Sequence, residues 1–367
     1  MGRVVAAIFG MAVLPGCWQT LVAGVEQSAS GSGAGTEASA TDTAGPSCTT
    51  ATCSEDTTAA DACLLPSPLD ECDTAADPLR AFEIACYQDV TAASLSATDD
   101  DTWRSAHEFG NAFWVSPDSF AMLALTTGRM PAVDPTGQVA FDTATGQPGQ
   151  ANDNPDDASA PAPIDTRPGS NGGRGGSPFH GCDGVGDCSD SLQAAWPDAT
   201  AHDLVWFSFG VAVPDNARGY ALRVALLTAE YPERVASPTS DTFVWWADSE
   251  TFTGNLATLG SAPANVTGLA PLLTITGDDP ALLRTGMDGT LEQACTVGAQ
   301  VLDPCPIGAA TPWMTLVGPA VPGEIIQIVG ALFDQGDDQL DTVVLLDGFH
   351  WRCDSCTPGV DCGLRVP

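Results

Sequence analysis

From residue 203 to 214 the chain reads DLVWFSFGVAVP, and every second position is a large apolar residue: Val205, Phe207, Phe209, Val211 and Val213. On a helix those five would spread around the circumference, whereas a strand turns all of them to one face. The same period of two returns at 220–227, where Tyr220, Leu222, Val224 and Leu226 share a face. Residues 242–246, 324–332 and 341–351 read as strands too. Gly and Pro punctuate between them, at Pro214, Gly219, Pro232, Gly318, Pro322 and Gly323. Helical periodicity is confined to 78–86 and 189–196. Many short strands parted by turns predict an all-β chain: a single antiparallel β-sandwich domain, jelly-roll-like, with long loops. The neighbours Trp245 and Trp246 must face opposite sides of their strand. That predicts one exposed ring, placed to stack on a sugar or anchor a partner.

The first residues set the address. Arg3 is the only charge before an apolar run from Val4 to Leu14, which closes on Pro15, Gly16 and Cys17. A positive start, a short apolar centre and a small residue before the cut mark a secretory signal. The run is too short to cross a hydrocarbon core of about 30 Å as a helix. Leu14 to Cys17 resembles the lipobox of bacterial lipoproteins, whose cysteine is acylated and becomes the first mature residue. The resemblance implies a signal peptide over 1–16, lipidation at Cys17, and a membrane reached through that lipid. An ordinary cleaved signal with an incidental cysteine is the other reading. Trp18 stands where inner-membrane retention would want an aspartate, so the expected location is the outer membrane or cell surface.

Residues 17–47 are rich in Ser, Thr, Gly and Ala and bury too little apolar surface to offset their ordering entropy, which predicts a flexible, disordered tether. Residues 48–76 add cysteines to a polar, acidic sequence and read as a stalk or disulfide-pinned loop region. The folded domain is expected over 77–352, interrupted at 131–177 by a Gly-, Pro-, Asn- and Asp-rich insertion that reads as exposed loop. Residues 353–367 form a Cys-rich C-terminal tail.

The formal charge is −35, and every basic residue is an arginine. So acidic a chain repels phosphate backbones, which excludes nucleic acid as a partner. A hydrophobic content of 44% is that of a globular protein, so the acidity belongs on a folded surface, on loops or around divalent cations. Of the 13 cysteines, setting Cys17 aside leaves an even number, as disulfide pairing in an oxidising compartment requires. Cys182 with Cys188 and Cys295 with Cys305 are spaced to staple loops, and Cys353, Cys356 and Cys362 are further disulfide candidates. The cysteines fall in two regions, before residue 90 and after residue 180, with an odd number in each. At least one bridge must therefore join the regions if all are paired. Zinc is the rival reading for Cys353-Asp-Ser-Cys356, whose spacing suits metal ligands.

Two segments carry a family resemblance. Ala229-Glu230-Tyr231-Pro232-Glu233-Arg234-Val235, then Asp241-Thr242-Phe243, a run of aromatics and Gly254-Asn255, resembles the core signature of the choice-of-anchor L domain. Pro322-Gly323-Glu324 through Ala331-Leu332-Phe333-Asp334, then Gly336-Asp337 and Leu340 to Asp347, resembles its closing pair of strands. Cys188-Ser189-Asp190-Ser191-Leu192 and Phe207-Ser208-Phe209 suit the version found in myxobacterial lipoproteins. Ala236 and Ser240 stand where that family more usually has glycine and asparagine. The resemblance runs from about 77 to 351 and implies a β-rich surface domain with no established reaction.

Carboxylate clusters come first among the chemical candidates. Asp334, Asp337, Asp338 and Asp341 crowd one loop between two strands, with Asp347 farther along the second. Oxygen-rich loops suit Ca²⁺, which takes six to eight oxygen ligands; a solvated acidic turn is the alternative. Asp183, Asp187 and Asp190 around the Cys182–Cys188 loop are a second such group. Glu230, Glu233 and Asp241 form a third. They suit a metal, the acid and base of a glycoside hydrolase, a capped turn, or a cation shared with the Asp334 loop. His107, His180, His202 and His350 are scattered, and no Gly-x-Ser-x-Gly elbow occurs. No catalytic residue is assigned. The expectation is an exported, lipid-anchored surface protein with a binding or adhesion domain, Ca²⁺-stabilised, whose partner is a polysaccharide or surface protein. A surface hydrolase and a structural envelope component are the alternatives.

Overall fold

The computed structural model of the protein describes residues 63–66, 77–86, 90–96, 100–117, 121–141, 158–164, 192, 200–277, 279–291, 295–297, 300–306, 308–336 and 340–366. All of them lie in one unit of the chain, residues 58–367. Two eight-stranded sheets carry the architecture, and the main strand pairs are antiparallel. The first sheet is built on β1 (Val90–Leu95), β4 (Thr200–Ala212), β6 (Thr242–Asp248), β7 (Ala262–Asn265) and β9 (Ile325–Asp334), in the order β1-β4-β9-β6-β7. The second is built on β2 (Trp103–Ala106), β3 (Met122–Thr126), β5 (Gly219–Thr228), β8 (Met314–Pro319), β10 (Thr342–Arg352) and β11 (Gly363–Arg365), in the order β2-β3-β10-β5-β8-β11. Consecutive long strands alternate between the sheets, so β4 and β9 pair in one while β5 and β10 pair in the other.

The alternation in β4 does what its spacing predicts. Val205, Phe207, Phe209 and Val211 pack with Leu222, Val224 and Leu226 of β5 into one core between the sheets. Phe82, Phe207, Phe209 and Trp245 pack ring against ring at its centre. The indole of Trp245, on the first sheet, donates to the buried Tyr220 hydroxyl on the second at 3.1 Å. This satisfies a polar atom that burial would otherwise penalise. Burial also raises the Tyr220 phenol pKa. Gly330 lies opposite both Phe207 and Trp245 in the ladder, and a Cβ there would collide with the Phe207 ring.

Both outer faces are covered as well. Val244, Trp246, Val329, Ala331 and Phe333 of the first sheet are buried with Ile164 and Leu192. Met122, Ala124, Ala225, Leu227, Val343 and Leu345 of the second are buried with Phe109, Trp114, Val139, Leu282 and Met287. Two expectations therefore change. Trp245 and Trp246 do face opposite sides, yet both are fully buried, because sequence-distant segments roof the outer face. The 131–177 insertion is not exposed throughout: Gln138–Val139 pairs with Glu108–Phe109, Ala158–Ser159 pairs with β4, and Val139 and Ile164 are buried.

Helix is scarce. Pro78–Ala81 forms a single turn whose N-cap Asp77 accepts from Leu79 N–H, and a 3₁₀ turn follows at Ile84–Cys86. Of the other expected helix, 189–196, only Leu192 is described, and it is helical and buried. The Cys-rich tail proves to be part of the second sheet, since β11 pairs with β8 through Thr315–Arg365, Leu316–Leu364 and Val317–Gly363.

Candidate functional site

One pole of the sandwich gathers strand ends from both sheets. β3, β5 and β9 finish there, and β6 and β10 begin there. Threonines tie the ends together. Thr127 N–H donates to the Thr342 carbonyl at 3.1 Å, and Thr342 N–H donates to Thr127 Oγ1 at 2.9 Å. The Thr342 hydroxyl donates to Thr228 Oγ1 at 2.8 Å. Three acidic positions stand at these strand ends: Glu230 two residues past β5, Asp241 one residue before β6, and Asp334 at the end of β9. Glu230, Asp241 and Asp334 are 1%, 1% and 2% exposed.

Local structure explains why the chain places them so. Thr228 Oγ1 accepts from Glu230 N–H at 3.1 Å, and the Glu230 carbonyl accepts from Arg234 N–H at 2.8 Å. These bonds turn the chain sharply out of β5. The loop then returns through Ala236, whose φ of 64° is left-handed and whose N–H is held by Thr267 Oγ1 at 2.8 Å. A left-handed residue is where glycine fits most easily.

Electrostatics single out Asp241. Its Oδ2 accepts from the Thr127 hydroxyl at 2.9 Å, whereas its Oδ1 is buried with no hydrogen-bond partner. Burial pushes its pKa well above the ordinary carboxylate value. The charges of Glu230 and then Asp334 push it further up, and the Thr342 and Thr127 hydroxyls pull partly back. Glu230 and Asp334 thus both lie close enough to Asp241 to disfavour its charge. No three His, Cys, Asp or Glu among the described residues converge as a ready-made metal centre.

The remaining candidate residues are distributed as follows. Asp341 lies just before β10, where its carbonyl accepts from Ala229 N–H at 3.0 Å. Asp347 is buried in mid-β10, opposite Arg223, and accepts from the Ser116 hydroxyl at 2.9 Å. Along the strand it stands some 17 Å from Thr342 (~3.4 Å per residue). Glu233 is exposed on the 230–240 loop, and partial burial of its carboxyl raises its pKa. Cys17, Asp337, Asp338, Cys182 and Cys188 lie outside the described residues, as do Asp183, Asp187 and Asp190. Cys295 and Cys305 fall in the short strands Cys295–Val297 and Cys305–Pro306. The threonines at 127, 228 and 342 were not foreseen, and the sequence around them carries no signal that sets them apart.

The opposite pole is defined by disulfides. Cys63 is bonded to Cys353, and Cys356 to Cys362; Cys86 is also disulfide-bonded. The Cys63–Cys353 bridge is the expected link between the early and late cysteine regions. The same pairs settle Cys353 and Cys356 as disulfide cysteines, not zinc ligands. Asn216 Nδ2 donates to the Leu64 carbonyl at 3.2 Å, fixing the entering chain beside the same turn. β10 runs from the carboxyl pole at Thr342 to Arg352 beside this bridge, about 30 Å at ~3.3 Å per residue. A small apolar cleft of about 180 Å³, lined by Pro78, Leu79, Ala93, Leu95 and Phe207, lies beside β1. It falls below the ~300–1,000 Å³ of most ligand pockets. Comparison with family models, curated proteins and solved structures finds no match to this chain.

Proposed function

We propose that this chain is an exported, lipid-anchored cell-surface protein whose β-sandwich acts in binding or adhesion, with a polysaccharide or surface protein as partner. The Cys63–Cys353 bridge carries this reading. A bridge between residues 290 positions apart in sequence belongs to an oxidising compartment. It also fixes where the chain preceding Cys63 joins the domain. The likeness of 229–255 and 322–347 to the choice-of-anchor L domain supports the same role. A glycosidase needs its carboxyls open to a sugar; Glu230 and Asp241 are each only 1% exposed, which leaves Glu233 as the one exposed carboxyl of that group.

The test is a Cys17→Ser chain, exported in oxidised form and screened against immobilised surface glycans and surface proteins. The variant is expected in the soluble fraction and bound to a restricted set of ligands. Retention in the membrane fraction contradicts the anchor, and an empty screen contradicts the binding role.

A further inference from the structure

The outermost strand of the first sheet, β1, is paired with β4 on one side and with no described strand on the other. Thr91, Ala92, Ala93 and Ser94 are all exposed, so the free edge is open to solvent. The pairing with β4 slips between Thr91 and Ser94 and is regular again beyond, through Ser94–Ser208 and Leu95–Phe207. Ser96 N–H then donates to the Trp206 carbonyl at 2.8 Å. Backbone groups of successive strand residues point to alternate edges, so Leu95 presents its N–H and C=O outward. An open edge is a template for another chain, and folded proteins commonly cover it or line it with charge. The exposed residues of β1 are small and uncharged.

The apolar cleft lies at this same edge. Ala93, Ser94 and Leu95 line it from β1, Phe207 from β4, and Asp77, Pro78 and Leu79 from the helical turn. Leu95 and Phe207 stand directly opposite each other and share the inner face of the sheet. The cleft therefore opens where the inward side chain of one further strand would fall. Its 180 Å³ suits an apolar side chain better than a free small molecule. Charge decides whose side chain that is. In sequence, Glu83, Asp89, Asp99, Asp100 and Asp101 flank β1, and no basic residue stands between Arg80 and Arg104. Asp77 adds a carboxylate at the cleft itself, with the Arg80 guanidinium 3.8 Å away. A second copy of this chain would bring the same acidic flanks against these. The chain's own early region supplies no counter-charge either, because no basic residue occurs between Arg3 and Arg80.

We propose that β1 is a docking edge for an extended, basic polypeptide segment. The segment adds to the first sheet as a further strand, sets one apolar side chain in the cleft and lays lysines or arginines against the acidic flanks. Main-chain hydrogen bonds supply the affinity, while the cleft and the charges select the sequence. The proposal rests on the binding role and narrows it to a protein partner held at one edge.

The experiment uses the full oxidised chain and, as probe, a short end-capped peptide of alternating valine and lysine, labelled with fluorescein and followed by fluorescence anisotropy. Binding is expected, and is expected to be lost when glutamate replaces lysine. N-methylation of adjacent central amides, which blocks both edges of the peptide without changing its charge, is expected to abolish it too. Ala93→Arg fills the cleft and adds a like charge, and is expected to weaken binding about tenfold or more. Ser94→Arg stands in if that variant does not fold. Val360→Arg puts the same charge on an exposed residue of the turn before β11, in the other sheet, and is expected to leave binding unchanged. No binding of the unmethylated peptide overturns the proposal. Equal binding of the methylated peptide overturns it, because charge alone then suffices, and so does equal weakening by Ala93→Arg and Val360→Arg. A chain that elutes as a dimer, and as a monomer when it carries Ala93→Arg, assigns the edge to a second copy and overturns it as well. The two readings fail separately. A ligand from the surface screen that binds Ala93→Arg as tightly as the unmodified chain overturns the docking edge alone; the expected peptide behaviour beside an empty screen contradicts the surface role alone.

Discussion

Asp241 puts a carboxyl where one of its oxygens is buried without a hydrogen-bond partner, and ionising it there has a measurable cost. Its pKa in the folded state lies well above the ordinary carboxylate value, so the folded protein holds this proton more tightly than the unfolded chain does. Stability must then fall as the pH rises from about 4 towards the folded pKa. Asp241→Asn is expected to flatten that dependence and, near neutral pH, to stabilise by about 1–3 kcal/mol, read from denaturant midpoints at two pH values. An unchanged slope would mean that Asp241 is not the buried charge responsible. Part of this site was legible in the chain: Glu230, Asp241 and Asp334 all lay in the segments singled out as chemical candidates, and a cation shared between the 230–241 and 334 groups was among the readings. What spacing does not disclose is which members of each group turn inward. Glu233, three residues from Glu230, is exposed, while Asp347 faces Ser116 in mid-strand. Those choices are made by the exit turn from β5 and by the alternation of β10.

Among the elements, β4 and β9 show where period-two reading succeeds and where it stops. The inner face of β4 was readable because Val205, Phe207, Phe209 and Val211 recur at every second position, with Ser208, Gly210 and Ala212 among the residues between them. The outer face of the first sheet was not, because Val244, Trp246, Val329 and Phe333 are covered by Ile164 and Leu192 from far along the chain. A strand buried on both faces loses the alternation that marks a half-exposed one. The β4–β9 contact also depends on one missing side chain. Gly330 leaves room for the Phe207 ring at the centre of the aromatic cluster. Gly330→Ala is expected to cost about 1–3 kcal/mol by overpacking, seen as a lower denaturant midpoint with an unchanged slope. A neutral result would show that the ring moves aside freely and that this cluster is loosely packed.

At the scale of the molecule, the sandwich has two unlike poles. One is pinned by Cys63–Cys353 and by the adjoining Cys356–Cys362 bridge, which sits next to β11. The other gathers threonines and three carboxyls at the ends of five strands. The need for a bridge between the early and late cysteines followed from arithmetic alone, but the identity of the pair did not. Cys63 meets Cys353 only because β10 carries the chain the length of the sandwich to the place where residues 63–66 are laid down. The proposed function rests on a lipid-tethered, oxidised domain. The most direct test is the intact mass of the native protein, extracted from membranes and kept unreduced. The account predicts a chain beginning at a diacylglycerol-modified Cys17 with its other cysteines oxidised; a chain that retains Met1 and carries free thiols at Cys63 and Cys353 would contradict it.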